Sequence, residues 1–344
     1  MSDKIILDIK KTRKTQHINN FMGLKIEDNT LFKDIYLENN SLSDINFDEV
    51  DISVEFLGRR IDFPMMINAI TGGTEESLEI NRQLARLAKK FNIPMAVGSQ
   101  NIAINNEEVK YSFQVVREIL EDGLVISNLS AKTIYSEAIE GLKMVGGDAI
   151  QLHLNAPQEL CMLEGDRNFK GILHNIKYIM DNISKPVIVK EVGFGISESV
   201  AEKLVNEGVK YIDIGGRGGT NFIEIESMRH ETIDFSEFYD FGIPTALSLL
   251  NCSTYKDKAF IISSGGISSA NHIVKSLCLG AKMVGVSGIL LRSLMTDGYD
   301  STERLIEEII YKTKVLMTIL GCGKLEDIGY IRYKIKGELK NLYC

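Results

Sequence analysis

Polar side chains collect at one end of an apolar segment, in the stretch QLHLNAPQE at positions 151–159. Successive residues of a strand point to opposite faces, so Gln151, His153 and Asn155 share one face and the leucines occupy the other. The proline that follows ends the strand, and a glutamine and a glutamate come directly after it. Amide, imidazole and carboxylate groups at one strand end can hydrogen-bond a polar ligand or bind a metal ion.

Glu159 is the residue of this stretch that is best suited to hold a metal ion. It lies just beyond the strand end, in the company of amide oxygens. Mg2+ is usually bound by one or two carboxylates together with the phosphate oxygens of a ligand. An exposed glutamate at the start of a helix accounts for the same position equally well, and the spacing leaves both interpretations open.

Lys190 stands inside the apolar run VIVKEV at positions 187–192. A buried lysine needs an anionic partner or a lowered pKa. It is therefore a candidate Schiff-base nucleophile, or a cation beside an anionic or electron-rich ligand. The alternative is a structural ion pair with Glu191 or another carboxylate, but neighbouring residues of a strand point apart. We favour contact with a ligand.

Glycine-containing segments follow several of the apolar runs. SSGGIS (263–268) and GVSG (285–288) each precede a helical pattern. Glycines let backbone N–H groups approach a ligand closely, and the N-terminus of the next helix favours an anion. Ordinary glycine turns are the alternative, and we favour a phosphate site. TGG (71–73) and GGRGGT (215–220) suggest that backbone also approaches a second, flat or bulky group.

The segment KKTRKTQH (10–17) is a short basic cluster in an acidic chain. It is explained by a solvated arm, or by a nucleic-acid arm that lacks aromatic support. A third interpretation is an arm that clamps an anionic substrate, in which Arg13 and Lys14 form charge-assisted hydrogen bonds to phosphate oxygens.

The elements that must position these side chains are short apolar, β-branched runs that alternate with longer helical patterns. The runs are 65–71, 94–99, 124–130, 149–155, 186–193, 211–216, 260–266 and 282–288. Strands that alternate with helices form a parallel sheet. Eight such units in this length predict an α/β protein with a single (β/α)8 TIM barrel. An open doubly wound sheet is the alternative, but no GxGxxG follows the first run.

One domain spanning residues 1–344 is the simplest organisation, with residues 1–60 as an N-terminal arm and peripheral elements. Two segments with apolar residues at helical spacing, 77–91 and 197–208, are predicted helices between strands. The segment 243–250 is ambiguous, and we interpret it as a helix before the seventh strand because Pro244 suits the first turn of a helix. In a TIM barrel the active site lies at the C-terminal ends of the strands. All eight runs end in polar residues or glycine, so the barrel would bring the groups described above together.

Composition excludes several classes of protein. The formal net charge of −8 argues against nucleic acid as a partner, and no apolar run of about 18 residues suggests a membrane span. No signal peptide is expected from the N-terminal sequence. The 5 cysteines include no CxxC pair, which favours reduced thiols in a cytoplasmic protein over disulfides or a zinc site.

Nine motifs occur in order along the chain and together identify a family. They are RKTQH (13–17), NAITGG (68–73), AVGSQ (96–100), QLHLNAPQE (151–159), EGDRNF (164–169), VIVKEVGFG (187–195), DIGGRGGTNF (213–222), GIPTALSL (242–249) and SSGGI (263–267). The chain resembles the FMN-dependent type 2 isopentenyl-diphosphate isomerases from the arm to the IKGE near its C-terminus. It departs from them at Ile70, where the family usually has Met, at Phe222, where many members have Trp, and at Asn101, where many have Arg.

The resemblance implies a role for each matching residue. Contacts with the flavin are implied for Ala69, Ile70, Thr71, Ser99, Asn128, Lys190 and Thr220, and with its phosphate for Gly265, Gly266, Ser287 and Gly288. Binding of the substrate is implied for Arg13, Lys14, His17, His153, Asn155 and Gln158. Glu159 would bind Mg2+ that bridges to the diphosphate. Gln158 and Lys190 would be the catalytic residues.

The reaction implied by the resemblance is the interconversion of isopentenyl diphosphate and dimethylallyl diphosphate. Reduced FMN would act as acid and base, and NAD(P)H would serve only to reduce it. The resemblance also implies a homo-oligomer, either a tetramer or an octamer. An FMN-dependent oxidoreductase of the α-hydroxy-acid-oxidase group is one alternative, but its histidine base has no equivalent in ISSGGISS (262–269). A non-catalytic flavin-binding protein is the other.

Overall fold

The computed structural model of the chain describes residues 3–25, 27–230 and 232–343. Its strands are β1 (Ile35–Leu37), β2 (Val54–Phe56), β3 (Arg59–Ile61), β4 (Met65–Ile67), β5 (Met95–Ala96), β6 (Val125–Ser130), β7 (Ala149–Leu154), β8 (Val187–Glu191), β9 (Tyr211–Asp213), β10 (Phe260–Ser264), β11 (Met283–Val286) and β12 (Tyr333–Ile335). Its first helices are α1 (Asp3–Gly23), α2 (Glu75–Lys90), α3 (Tyr111–Leu120), α4 (Tyr135–Met144), α5 (Ala156–Cys161), α6 (Ile172–Asn182) and α7 (Glu198–Asn206). The remaining helices are α8 (Phe222–Ser227), α9 (Thr245–Ser253), α10 (Ala270–Cys278), α11 (Gly288–Asp297), α12 (Tyr299–Leu320), α13 (Leu325–Ile328) and α14 (Gly337–Tyr343).

The barrel consists of strands β4 to β11, which close in the order β10-β11-β4-β5-β6-β7-β8-β9. Each strand corresponds to one of the predicted runs, so the predicted (β/α)8 barrel is confirmed. Several runs were predicted too long, because the chain leaves the strand ladder at the barrel mouth. Residues 68–71 continue from β4 in this way, and the carbonyl of Thr71 accepts a hydrogen bond of 3.1 Å from the N–H of Gly98.

The helices around the barrel are amphipathic and bury their apolar face against the strands. Helix α2 begins where the Thr74 side chain accepts a hydrogen bond from the backbone N–H three residues later, an N-cap that satisfies a free donor. Ile80 and Leu84, four residues apart, then face the barrel and are buried. The helices predicted at 77–91, 197–208 and 243–250 correspond to α2, α7 and α9.

The N-terminal region surrounds the barrel and crosses its mouth, as predicted. Helix α1 contacts α8 and the short 3-10 helix Gln100–Ile102 at the C-terminal ends of the strands. Strand β1 pairs antiparallel with β12, with Ile35 opposite Ile335. Strands β2 and β3 form a hairpin whose two turn residues, Leu57 and Gly58, have φ of 51° and 76°. Positive φ at both positions suits the right-handed twist of a tight hairpin.

Two expectations from composition concern membranes and thiols. Across the three described ranges, the structure contains no helix that is both long enough and apolar enough to cross a membrane. Cys161, Cys252, Cys278 and Cys322 are free thiols and are buried, in agreement with the absence of a disulfide framework. Cys344 lies outside the described residues.

Candidate active site

The C-terminal ends of the barrel strands surround a cavity of about 630 Å3, which is the size of a typical cofactor or small-molecule site. Its wall includes every residue with a predicted cofactor, substrate or metal role, with the exception of Thr71. Gln151, on the same strand face as His153, does not line the cavity and donates a hydrogen bond to Asn68 instead. Helix α1 contributes Arg13, Lys14 and His17 to this wall. The arm and the barrel therefore share one cavity.

Thr71 is the predicted site residue that the structure does not bring to the cavity. Its side chain is buried, and its hydroxyl lies 2.9 Å from the hydroxyl of Ser77 at the start of α2. Thr71 therefore does not line the cavity, and its contact with the flavin stays a prediction. The glycine pair that follows Thr71 turns the chain into α2, and this turn directs the hydroxyl toward the helix.

Lys190 reaches the barrel axis, where it pairs with a carboxylate that the sequence analysis did not select. Its Nζ lies 3.3 Å from Asp213 Oδ2 and donates a hydrogen bond of 3.0 Å to the carbonyl of Glu191. Asn68 Nδ2 donates to the same Asp213 oxygen at 2.6 Å, and Gln151 Nε2 donates to Asn68 Oδ1 at 3.0 Å. Lys190 is thus both a member of an ion pair and a cation at the cavity wall.

The sequence contained a signal for these partners. Asn68 and Asp213 each stand at the end of a strand and begin one of the matching motifs. The sequence shows where strands end, but no rule of spacing predicts which residues of two strand ends are in contact across a barrel. The parallel register places Lys190 beside Asp213 on neighbouring strands.

His153 is buried beside Lys190, its register partner on β8. Burial, together with the positive charges of Lys190 and Lys14, lowers the pKa of His153 to about 3. The imidazole is therefore neutral at physiological pH. Its Nδ1 lies 3.1 Å from Asn128 Oδ1. The network assigns a proton to Nδ1, which leaves Nε2 as a hydrogen-bond acceptor.

Glu159 is held by hydrogen bonds to both carboxylate oxygens. Asn155 Nδ2 donates to Oε1 at 2.8 Å, and the backbone N–H of Asp166 donates to Oε2 at 2.8 Å. Among the residues that the structure describes, no cluster of three His, Cys, Asp or Glu side chains is placed to bind a metal ion. A metal ion at Glu159 would therefore take its other ligands from a bound phosphate or water, as Mg2+ usually does.

Gln158, the neighbour of Glu159 on α5, is oriented by a second residue that the sequence analysis missed. Its Nε2 donates to Glu226 Oε1 at 3.3 Å. The Glu226 side chain is fully buried and pairs with Arg229. Burial raises the pKa of Glu226, but hydrogen bonds and charges from His17 and Arg229 outweigh burial and hold the pKa below its usual value. Glu226 is therefore an anion next to Gln158.

The basic residues of the arm point into the mouth of the cavity. Arg13 Nη1 lies 3.3 Å from Glu164 Oε1, Lys14 Nζ donates to the carbonyl of Ser99 at 3.4 Å, and His17 Nε2 lies 2.8 Å from Glu226 Oε1. Burial and, to a smaller extent, the charge of Arg13 together lower the pKa of Lys14 to about 7. An anionic ligand at the mouth would favour the charged form of Lys14.

The other end of the cavity has the features of a phosphate site. Gly265 and Gly266 have φ of 103° and 72°, and a Cβ on Gly265 would lie 1.9 Å from the carbonyl oxygen of Gly216. Ser287 precedes helix α11 without a side-chain cap, so the first N–H groups of this ten-residue helix stay available to an anion. Gly265, Gly266, Ser287 and Gly288 all line the cavity.

Other residues of the cavity wall have the character of a site for a flat group. Ala69, Ile70, Ser99, Asn128 and Thr220 line the cavity, which combines apolar surface with a few polar groups, as is usual for cofactor sites. A phosphate cradle, a flat wall and a cation at Lys190 fit the phosphate, the ring and the negative charge of reduced FMN. The residues present therefore suit the cofactor implied by the sequence.

Known structures and a family model agree on the class. Residues 161–333 match the model of the FMN-dependent dehydrogenase family. The structure is similar to that of a mandelate oxidase variant with an FMN monooxide adduct, with a TM-score of 0.68 and 16% identity over 92% of this chain and 95% of that one. A mandelate oxidase complexed with a difluorinated hydroxy acid has a TM-score of 0.68 and 15% identity over 96% and 99% of the chains. Fold and family model define an FMN-dependent (β/α)8-barrel protein.

Relatives with much higher identity are isopentenyl-diphosphate delta-isomerases. The Bacillus licheniformis protein is 40% identical over 328 residues, which cover 95% of this chain and 93% of that protein. The Limosilactobacillus reuteri protein is 38% identical over 333 residues, with 95% of each chain covered. The Staphylococcus haemolyticus protein is 36% identical over 96% of this chain and 95% of that protein. The chain belongs to the isopentenyl-diphosphate delta-isomerase family, in its FMN-dependent type 2 branch, which confirms the resemblance.

Proposed function

We propose that this protein interconverts isopentenyl diphosphate and dimethylallyl diphosphate by moving a proton between two carbons of the isoprene unit, with bound FMN and Mg2+. The observation that carries the proposal is the arrangement of one cavity. A phosphate cradle and Lys190 line the same cavity as Gln158, Glu159 and the basic residues of the arm. This arrangement has room for a cofactor and for a second, diphosphate-bearing molecule.

The diphosphate would bind at the mouth, between the arm and α5. Arg13 and Lys14 supply positive charge, and His17 adds a hydrogen-bonding ring nitrogen. Glu159 would hold Mg2+, which in turn would bind diphosphate oxygens, with Asn155 and the N–H of Asp166 fixing the carboxylate. Partners that orient a metal ligand in this way usually contribute to metal affinity.

The isoprene part of the substrate would lie deeper, over the flat wall. When bound and reduced, FMN supplies an electron-rich ring whose nitrogens exchange protons, and NAD(P)H would be needed only to reduce it. Lys190, with Asp213 behind it, provides positive charge next to that ring. His153 is neutral because its pKa is lowered to about 3. It therefore adds no positive charge beside a substrate that becomes cationic in the transition state.

Gln158 would contact the substrate directly. Its amide is held by Glu226, so it has a defined orientation, and it can align the isoprene unit or relay a proton. The buried anionic carboxylate of Glu226 also favours positive charge in its neighbourhood. The mouth is covered by α1, which excludes water from a reaction with carbocation character.

An FMN-dependent oxidase of α-hydroxy acids is the alternative activity, and the geometry gives it less support. Such an enzyme would use a histidine base late in the barrel, at the loop after β10. His272 is the histidine nearest to the loop after β10, but it is not part of the cavity wall. Its Nδ1 lies 3.2 Å from the carbonyl of Gly266, and its Nε2 lies 3.4 Å from Asp28. Both ring nitrogens of His272 therefore already have partners within the protein.

The proposal is tested with the purified protein after its flavin content has been measured. The protein is reduced anaerobically with NADPH and given Mg2+ and isopentenyl diphosphate, and the methyl signals of dimethylallyl diphosphate are followed by proton NMR. Product formation supports the proposal. Bound FMN without product contradicts it, and oxidation of mandelate or lactate by the same sample would favour the oxidase.

A further inference from the structure

The C-terminal end of the arm helix α1 is capped by a side chain from another helix. The last carbonyl groups of an α-helix have no partner within the helix, and α1 has no basic residue in its last turn. Arg292 of α11 takes this place. Its Nη1 donates to the carbonyl of Met22 at 3.2 Å, and its Nη2 donates to the carbonyls of Phe21 and Leu24 at 3.0 and 2.9 Å.

The same arginine also packs on the last turn of the arm. The guanidinium carbon of Arg292 lies 5.1 Å from the centre of the Phe21 ring, a distance typical of a cation–π contact. Phe21 is buried, and its ring also covers Gly288, where a Cβ would lie 3.1 Å from the ring. Gly288 and Arg292 are four residues apart and therefore lie on one face of α11.

The arm thus ends on the helix whose N-terminus forms the phosphate site. Lys14 lies seven residues before Phe21, about two helical turns or 10 Å away. Because a helix moves as a rigid rod over such a distance, the position of its anchored end determines where Arg13, Lys14 and His17 lie. The other polar contacts of these three residues are with carboxylates, for Arg13 and His17, and with the carbonyl of Ser99, for Lys14. A bound diphosphate would compete with these groups for the basic side chains.

We propose that Arg292 is the anchor of the arm, a positioning residue that holds α1 so that its basic residues face the substrate. The inference rests on the proposed function for the role of those basic residues. The contact between Arg292 and α1 does not depend on it. Without the anchor, the arm would be undocked in part of the molecules. Since only molecules with a docked arm bind substrate well, the apparent affinity for substrate decreases in proportion to the docked fraction.

The first measurement compares R292M with K275M. Lys275 of α10 is a matched control, because its Nζ also donates to a backbone carbonyl, that of Phe32, at 2.8 Å, but not to the arm helix. We expect R292M to raise KM for isopentenyl diphosphate roughly 5- to 30-fold, the range of a contact worth one or two kcal/mol. Its kcat should stay within about twofold, because saturating substrate restores docking. K275M should leave KM unchanged.

The variant R292K tests whether the planar guanidinium group of Arg292 is needed in addition to its positive charge. Lysine keeps the positive charge but cannot bridge several carbonyls in one plane. We expect a KM between those of the wild type and R292M. If R292M fails to fold, R292K carries the same test. A KM that is unchanged in both variants, or a fall in kcat without a change in KM, overturns the proposal.

The second measurement tests whether the arm is docked and does not depend on catalysis. FMN-loaded protein is treated with trypsin in the absence of substrate, and cleavage after the basic residues at 10–14 is followed by mass spectrometry. R292M should be cleaved there at least about fivefold faster than the wild type or K275M. Equal cleavage rates overturn the anchor. Fast cleavage of R292M in a protein that forms no dimethylallyl diphosphate would preserve the anchor and reject the proposed function.

Discussion

Asn155 Nδ2 and Glu159 Oε1 are joined by a hydrogen bond of 2.8 Å. This bond ties the end of β7 to the first turn of the six-residue helix α5, which is too short to be stable alone. It aims a carboxylate at the cavity and leaves that carboxylate free to bind a cation. Under the proposed function, the polar stretch 151–159 would therefore both line the cavity and support a metal ligand.

Replacing Glu159 by Gln should remove most of the isomerase activity, by about 100-fold or more, together with its dependence on Mg2+. The substitution keeps the shape and removes the charge that binds the metal ion. Asn155→Ala should raise the Mg2+ concentration for half-maximal rate about 10- to 100-fold. Rates are measured against Mg2+ concentration, with the exposed Glu118→Gln as control. Full activity of E159Q would remove Glu159 from the metal site.

Lys190→Met should lower the midpoint potential of bound FMN. A positive charge stabilises the anionic reduced flavin, so its loss makes reduction harder by tens of millivolts, where about 30 mV corresponds to 1.4 kcal/mol for two electrons. Asp213→Asn should shift the potential in the opposite direction, because Lys190 loses its anionic partner. The potentials are determined by anaerobic dye titration. Equal potentials in wild type and K190M would place Lys190 away from the flavin.

Lys14 should give the free enzyme a pH dependence near neutrality. Its pKa is lowered to about 7, so the side chain is charged below pH 7 and becomes neutral as the pH rises. The ratio kcat/KM reports the free enzyme and should therefore fall above pH 7, by up to about tenfold per pH unit. Lys14→Arg stays charged and should remove this decline. The experiment compares the two profiles between pH 6 and 9, and identical profiles would contradict the assignment.

Gly266→Ala should abolish retention of FMN. A Cβ there would lie 2.0 Å from the carbonyl oxygen of Gly218, at a φ of 72° that disfavours any side chain. The loop would have to move and the phosphate cradle would be lost. The flavin absorbance per protein at 450 nm is the readout. Gly329→Ala is the control, since its nearest atom lies at 3.6 Å. Normal FMN content in G266A would place the phosphate elsewhere.

The positions of the strands and most of the wall followed from local patterns in the sequence. The polar ends of the β-branched runs converge, because a parallel barrel brings all C-terminal strand ends to one face. For the same reason Lys190, His153 and Glu159 were identifiable as site residues from their own neighbourhoods. The resemblance to a family then supplied their separate roles.

Local sequence patterns do not predict which residues that are distant in the chain become partners in the structure. Asp213 behind Lys190, Glu226 behind Gln158 and Arg292 behind the arm depend on how separate elements pack. Packing also determines the direction of a side chain within a recognised motif, as Thr71 shows. Its motif suggested a flavin contact, but the turn into α2 directs its hydroxyl to Ser77. Orientation at a turn depends on packing as well as on residue type.

The most direct test of the account is the number of product molecules formed for each NADPH consumed. The reaction is carried out anaerobically in D2O with FMN-loaded protein, Mg2+ and isopentenyl diphosphate, and both quantities are measured in the same sample. A proton shift without net redox change predicts many dimethylallyl diphosphate molecules for each NADPH oxidised, with deuterium from the solvent in the product. Consumption of one NADPH for each product, or the absence of product from protein that holds FMN, would contradict the account.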